Sequence, residues 1–146
     1  MKFKLDTTCE CPDILEYYDK IKEETIPIIK KGGCKMSITC ATHTTTQFLF
    51  PLYKNRGDIR RPDDMMENQI YHGVASAVQY TDEAFEAPPG PPIDIFSHFG
   101  VVCHDGDWYV SKYPKGVGYN MKNSTLKYIG TNGELDGKKA RVAQFS

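Results

Sequence analysis

The chain has 146 residues, a length most simply accommodated by one domain, residues 1–146, with a proper hydrophobic core. Its formal net charge of −1 gives the chain no excess of positive charge, so nucleic acid is excluded as the main partner. No apolar run is long enough to span a bilayer, which predicts no membrane partner. Charged residues also stand at the N-terminus, where a signal peptide would need its apolar centre, so we expect a cytoplasmic protein.

The first third of the chain predicts the order strand, helix, strand. Residues 2–7 alternate between polar and apolar, as a strand does. Pro12 suits the first turn of a helix, where its missing N–H would have no partner, and apolar residues then follow at helical spacing. We therefore predict a helix over residues 12–31, which Gly32 and Gly33 end, and a strand over residues 34–42.

The middle of the chain is less regular. Residues 56–64 form a charge-dense turn, and the pattern after it predicts a second helix over residues 63–78. Residues 85–92 are rich in proline, which excludes helix and central strand. Since strands resume at once in a short chain, a rigid loop is favoured over a linker.

The last third predicts strands only. A strand over residues 95–103 leads to a hairpin turn with Asp105 and Gly106 at its centre, and residues 108–113 return. Residues 125–129 and 140–145 make a final pair. The predicted class is α+β: a mixed, mostly antiparallel sheet with two helices in a single domain.

The chain has five cysteines, and they form no CxxC pair. Cys9 and Cys11 make a CxC without a matching second pair, so the sequence does not support a four-thiolate zinc site. Cys34, Cys40 and Cys103 lie in or beside predicted apolar strands, where a free cysteine packs as a small hydrophobe. We interpret them as reduced core residues, with ligation of a metal by one of them as the alternative.

Two of the four histidines are candidates for chemistry. His43 follows a β-branched strand and precedes three threonines, and His98 lies inside the predicted strand 95–103. Two strand histidines with nearby carboxylates are a set that binds a divalent transition metal. The alternatives are a hydrogen-bonded structural cluster, or an edge strand whose threonines face water. His72 is predicted on the second helix and His104 in the hairpin turn, both solvated.

With these histidines placed, the chain resembles the secondary thiamine-phosphate synthase family (YjbQ type). The family's His-Thr-Thr element at the end of a strand is matched by His43, Thr44 and Thr45, and its later Ser-His element by Ser97 and His98. The charged segment 58–65 and the ending 134–142 stand in the family's order. The family's Tyr-x-His element is altered here, because Asp82 stands where a histidine is expected.

The resemblance implies a compact homotrimer with sites near the subunit boundaries. It also implies a transferase that joins an activated pyrimidine to a thiazole phosphate, with a small-molecule substrate. The candidate site combines catalytic histidines, a divalent metal such as zinc, supporting hydroxyls and an arginine for phosphate. Its members are His43 and His98 as catalytic residues, His43, His98 and Asp82 as metal ligands, and Thr44, Thr45, Ser97, Arg60 and Arg61 as substrate-binding residues.

Two alternative functions remain open. Residues 95–106 are similar to a Ser-x-His-Phe stretch of zinc N-acetylmuramoyl-L-alanine amidases, and Thr42 to Thr44 match their His-His-Thr strand end. Those enzymes take further zinc ligands from a downstream segment that has no counterpart here. The third hypothesis is a non-catalytic binder that holds a phosphorylated small molecule in the same place.

Overall fold

The structure is a computed structural model that describes residues 9–19, 27–67 and 73–146. The predicted first strand, residues 2–7, and His72 lie outside these ranges. Within them the chain forms one 3-10 helix, two short α-helices and eleven strands. The helices are the 3-10 helix Ile14–Tyr17, α1 (Asp82–Glu86) and α2 (Ile95–His98). The strands are β1 (Ile28–Gly32), β2 (Lys35–Ala41), β3 (Gln47–Phe50), β4 (Gly73–Ser76), β5 (Pro92–Asp94), β6 (Val102–His104), β7 (Asp107–Val110), β8 (Val117–Asn120), β9 (Leu126–Ile129), β10 (Ala140–Arg141) and β11 (Gln144–Phe145).

The strands of the described residues form three sheets, and the paired strands in all three run antiparallel. Their orders are β1-β2-β5, β10-β7-β6 and β11-β3-β4-β8-β9. The predicted α+β class, dominated by antiparallel sheet, is confirmed. None of the helices in the described ranges is long and apolar enough to cross a membrane.

The buried side chains form a cluster to which all three sheets contribute. Ile38 comes from the first sheet, Trp108 from the second, and Phe48 from the third. Phe48 contacts both Phe99, just beyond α2, and Phe145 of β11, with ring centroids 5.2 and 5.3 Å away. Aromatic pairs at these separations are favourable beyond the area they bury. The core therefore joins the end of the chain to its middle.

Two hairpins follow from local turn chemistry. Asp105 and Gly106 both have positive φ, 49° and 82°, as the two central residues of a tight hairpin require, and they join β6 to β7. The predicted Asp-Gly hairpin is therefore confirmed. Between β1 and β2 the two-residue loop is Gly33 and Cys34, and Gly33 has a φ of 58°. Cys34 therefore lies in the loop at one end of the first sheet.

Neither helix predicted from periodicity is present as predicted. In residues 12–31 the structure has only the 3-10 helix and then β1, with residues 20–26 outside the described ranges. Ile28 follows Pro27 and pairs with Ile38, so its β-branched side chain serves a hairpin instead of a helix. In residues 63–78, Met65 bridges Met121, and β4 lies between β3 and β8. Three of the four residues of β4 are buried, so its apolar residues need not alternate with polar ones.

The strand predicted over residues 95–103 is a helical turn followed by β6. Asp94 caps this turn, because its Oδ1 accepts a hydrogen bond from the backbone N–H of Phe96 at 3.1 Å. The turn buries Ile95, Phe96 and Phe99 together. His98 is therefore on α2 and not on a strand.

The predicted pairing of the last two strands is also wrong. Instead, β9 pairs with β8, β10 pairs with β7, and β11 pairs with β3. The change of sheet occurs at Val142 and Ala143, whose N–H groups donate to the carbonyls of Trp108 and Leu49 respectively. The Pro-rich segment is confirmed as a loop between α1 and β5, and β5 is an edge strand, where proline is tolerated.

Candidate functional site

His43 lies in the turn between β2 and β3, close to its predicted place, and both of its ring nitrogens have hydrogen-bond partners. Nε2 is 3.0 Å from the carbonyl oxygen of Phe85, which can only accept, so Nε2 carries the proton. Nδ1 then accepts from the backbone N–H of Thr45 at 3.2 Å and from its hydroxyl at 2.9 Å. The ring thus ties α1 to the turn, and a metal would have to displace one of these bonds.

The threonines around His43 stabilise the turn. Thr44 is 4% exposed, and its hydroxyl lies 3.5 Å from Nδ1 of His43. The hydroxyl of Thr46 donates to the carbonyl of Ala41 at 2.6 Å. Buried polar groups need hydrogen-bond partners, and these hydroxyls have them. The threonine cluster therefore has a structural explanation.

His98 and Asp82 lie on different helices and have different surroundings. Nε2 of His98 is buried and has no hydrogen-bond partner in the residues that the structure describes. The pKa of His98 is lowered below its ordinary value, mainly because the ring is partly buried and to a smaller extent because of the positive charge of Lys115. Asp82 begins α1 and accepts a hydrogen bond from the hydroxyl of Tyr80 at 3.2 Å. This bond is the main cause of a raised pKa for Tyr80.

The lowered pKa of His98 gives a prediction for stability against pH. The unfolded chain binds a proton near pH 6.5, whereas the folded chain resists it, so the free energy of unfolding should fall as the pH drops below about 6.5. His98→Gln should flatten this slope in urea titrations between pH 7.5 and 5. His104→Gln, in the exposed hairpin turn, is the matched control and should keep the slope. An identical slope for wild type and His98→Gln would contradict the prediction.

The remaining predicted residues serve local contacts. The hydroxyl of Ser97 donates to the backbone carbonyl and the carboxylate of Asp94, both at 3.2 Å. The guanidinium of Arg61 donates to the carbonyl of Met66. Arg60 is exposed, and its backbone bridges that of Tyr53.

The structure does not bring His43, His98 and Asp82 together as a ligand group. Over residues 9–19, 27–67 and 73–146, the group of three metal-binding side chains with ligand atoms within 4.8 Å of one another is Cys9, Cys34 and Cys103. This group could hold a metal. The sequence points to histidines because they are the commonest metal ligands, whereas its cysteines form no CxxC pair.

Four of the five cysteines are paired, so the prediction of reduced core residues is wrong for Cys34 and Cys103, whereas it holds for Cys40. Cys9 is bonded to Cys34, and Cys11 to Cys103. These four residues are called the cysteine cluster below. Cys40 lies outside both disulfides. Disulfides are typical of oxidising compartments and argue against the cytoplasmic location, which stays a prediction.

A cleft that was not predicted from the sequence lies beside the charge-dense turn. It has a cavity volume of about 200 Å³ and is called the Arg56 cleft here. It combines three cationic side chains, one carboxylate, two tyrosines and an apolar floor. Its lining residues are Pro51, Leu52, Tyr53, Arg56, Gly57, Asp58, Ile59, Tyr109, Lys139, Ala140 and Arg141.

Pairing of β7 with β10 positions one wall of the Arg56 cleft. Arg141 stands opposite Tyr109 in this pair, and its guanidinium lies 3.4 Å from the carboxylate of Asp107. On the other wall the guanidinium carbon of Arg56 lies 4.0 Å from the ring centroid of Tyr53, a cation–π contact. The carboxylate of Asp58 accepts the backbone N–H of Lys139 at 2.8 Å and joins the two walls.

A model of the family described as TRA-1 regulated protein R03H10.4 matches residues 7–146 of this chain. The chain belongs to this family. The match covers every residue of the Arg56 cleft and the whole cysteine cluster. No curated protein and no solved structure matches the chain.

Family membership corrects both resemblances drawn from the sequence. The identification with secondary thiamine-phosphate synthases is wrong, and so is the one with zinc N-acetylmuramoyl-L-alanine amidases. Both relied on short elements around His43 and His98, and those elements are explained by a hydrogen-bonded turn and a capped helical turn. The homotrimer and the transferase activity were implied by the first resemblance alone and lose their basis with it.

One feature of the sequence indicates the region of the Arg56 cleft. The dense charges of residues 56–64 indicate this region, but the phosphate ligands predicted there, Arg60 and Arg61, do not line the cleft. Arg56 stands three residues after Tyr53, which allows its cation–π contact. Lys139 and Arg141 come from the end of the chain, and their approach to Arg56 depends on the β7–β10 pairing.

Proposed function

We propose that the protein is a non-catalytic binder of a small phosphorylated molecule and that the Arg56 cleft is its binding site. The observation that carries this proposal is the convergence of three cationic side chains from distant parts of the chain on one cleft. Arg56 belongs to the charge-dense turn, and Lys139 and Arg141 to the β10 region. Such convergence places more positive than negative charge in a concave site, which suits an anion.

The chemistry of these side chains favours phosphate. A guanidinium donates two parallel hydrogen bonds to neighbouring phosphate oxygens, and lysine adds a compact charge. The one lining carboxylate, Asp58, already accepts the N–H of Lys139, which offsets part of its repulsion of an anion. Arg141 is 60% exposed at its side chain, so its contact with Asp107 is solvated and easily exchanged for a ligand.

The size and the aromatic lining of the cleft narrow the ligand class. A volume of about 200 Å³ is below the roughly 300–1,000 Å³ of sites for drug-sized ligands. Tyr53 and Tyr109 offer flat ring faces beside the cations. These features support a small phosphate ester with a compact or planar organic part.

The lining also supports binding over catalysis. The described residues that line the cleft include no histidine, cysteine or serine, and the carboxylate of Asp58, which could act as a general base, accepts the backbone N–H of Lys139. His43, the strongest catalytic candidate from the sequence, uses both ring nitrogens in hydrogen bonds. A divalent metal plays no part in the proposed binding, because cations line the site.

The proposal is tested by calorimetric titration with inorganic phosphate and with phenyl phosphate at low salt. We expect phenyl phosphate to bind more tightly than phosphate because of the tyrosines. Hydrogen bonds to charged groups contribute about 1.5–3 kcal/mol each, so Arg56→Ala and Arg141→Ala should each weaken binding by roughly 10- to 100-fold.

Arg60→Ala is the matched control, since Arg60 lies in the same charged turn and does not line the cleft. It should leave the affinity within about twofold of wild type, apart from a small long-range charge effect that salt screens. Absence of binding by wild-type protein, or an equal loss in Arg60→Ala and Arg56→Ala, would refute the assignment of the cleft.

A further inference from the structure

The cysteine cluster brings together sulfur atoms from both disulfides. The Sγ atoms of Cys9, Cys34 and Cys103 all lie within 4.8 Å of one another, although the first two belong to one disulfide and the third to the other. Two disulfides that served only as separate staples would have no need to share one location. In a tetrahedral zinc–thiolate site, with Zn–S bonds of about 2.3 Å, the sulfurs stand roughly 3.8 Å apart.

Cys11 is the source of the fourth sulfur. Its Sγ is bonded to that of Cys103 and stands outside the group of three, so it must turn toward them once the bond is reduced. Cys9 and Cys11 come from the segment before the 3-10 helix, Cys34 from the hairpin loop between β1 and β2, and Cys103 from β6. Cys9, Cys34 and Cys103 are partly exposed, so a metal ion and a reductant can reach the cluster.

We propose that the cysteine cluster is a redox-dependent zinc site, in which four thiolates hold one Zn²⁺ when both disulfides are reduced. A dithiol reductant breaks each S–S bond: it supplies two electrons and two protons, becomes a disulfide itself, and leaves two cysteine thiols. Zn²⁺ then forms four Zn–S bonds and releases the thiol protons to solvent. Oxidation by a disulfide oxidant reverses these steps and expels the metal.

The two forms of the cluster hold the same parts of the fold. Either the disulfides or the zinc ion joins the N-terminal segment, the β1–β2 loop and β6. The metal form therefore keeps the fold together under reducing conditions, where the disulfides are absent. The neighbouring carboxylate of Glu10, whose Oε1 lies 3.8 Å from Sγ of Cys103, is not needed as a ligand, because four sulfurs complete the tetrahedron.

The test uses the whole chain. It is reduced with a dithiol in a buffer that contains no phosphine, and the reductant is then removed in the absence of oxygen. Cobalt(II) serves as the spectroscopic probe, and bound zinc is measured after gel filtration. We expect one zinc per reduced chain, a thiolate-to-cobalt charge-transfer band, and essentially no metal on the oxidised chain. Cys34→Ser should lose the band or weaken metal affinity by more than tenfold. Cys40→Ser, outside the cluster, should match wild type, and so should Glu10→Gln.

A second measurement, on reduced chains that keep all four cysteines of the cluster, covers the case in which reduced Cys34→Ser does not fold. Zinc should raise the thermal midpoint of the reduced wild-type chain and of reduced Cys40→Ser. Equal zinc content in reduced wild type and reduced Cys34→Ser would overturn the proposal. An unchanged thermal midpoint of the reduced wild-type chain on addition of zinc would overturn it as well.

Discussion

Replacement of Cys11 and Cys103 together by alanine is expected to lower the free energy of unfolding by about 4.5 kcal/mol under oxidising conditions. The bond joins residues 92 positions apart, so its loss frees a long loop in the unfolded chain. Chain entropy predicts the size of the effect from the length of that loop. Guanidinium unfolding followed by far-UV circular dichroism, with a chelator present, measures the change.

The other disulfide provides the matched comparison. Cys9 and Cys34 are only 25 positions apart, so their double replacement by alanine should cost less, about 3.5 kcal/mol on the same model. A larger loss for the Cys9 and Cys34 pair than for the Cys11 and Cys103 pair would contradict an origin in loop length. Cys40→Ala, outside both bonds, controls for the removal of a thiol.

The second large effect is expected at Trp108. This side chain is 1% exposed, contacts the ring of Phe96 edge to face at 5.7 Å, and donates from Nε1 to the carbonyl of Pro12 at 2.7 Å. Trp108→Ala should cost about 4 kcal/mol, because it opens a large cavity in the core. Trp108→Phe keeps most of the apolar volume but leaves the Pro12 carbonyl without its donor, at a cost of about 1–3 kcal/mol.

Trp108 and the longer disulfide hold the same segment of chain. Trp108 stands opposite Cys103 across the β6–β7 pair, and their partners, Pro12 and Cys11, are neighbours in sequence. Combining Trp108→Phe with loss of that disulfide should therefore cost less than the sum of the separate changes. Since Trp108 is the only tryptophan, circular dichroism is the measurement for all variants. Strict additivity would show that the two contacts act independently.

The parts of the fold that could be predicted from the sequence are those fixed by local chemistry. Asp105 and Gly106 specify a tight hairpin by their backbone preferences, and that hairpin is present. The strand ending just before His43 is present as β2, because a β-branched run has few alternatives. The general class followed from counting such segments.

The helices predicted over residues 12–31 and 63–78 failed because short apolar runs do not distinguish helix from buried strand. Val74 and its neighbours looked helical by spacing, yet they form a central strand whose partners, β3 and β8, are distant in sequence. For α2 the deciding residue is Asp94, which caps the turn and also accepts the backbone N–H of Ile38 from β2. This second contact is invisible in the sequence.

The candidate sites were harder to predict than the fold. The chemistry of His43 depends on the carbonyl of Phe85, and disulfide connectivity cannot be deduced from cysteine positions. The Arg56 cleft needs β10 beside β7 before its cations meet. Each of these arrangements arises from tertiary pairing, whereas residue type and spacing report only on local structure.

The way the sheets are closed has a consequence for how the chain folds. The pairing of Leu49 with Gln144 joins segments that most of the chain separates, and the Cys11–Cys103 bond spans a similar stretch. The entropy cost of closing such long loops must be met before these contacts stabilise the chain. Topologies of this kind therefore fold slowly. Until β11 docks, β3 remains an edge with unpaired backbone groups beside Phe48 and Phe50. The partly folded chain is therefore the form most exposed to self-association.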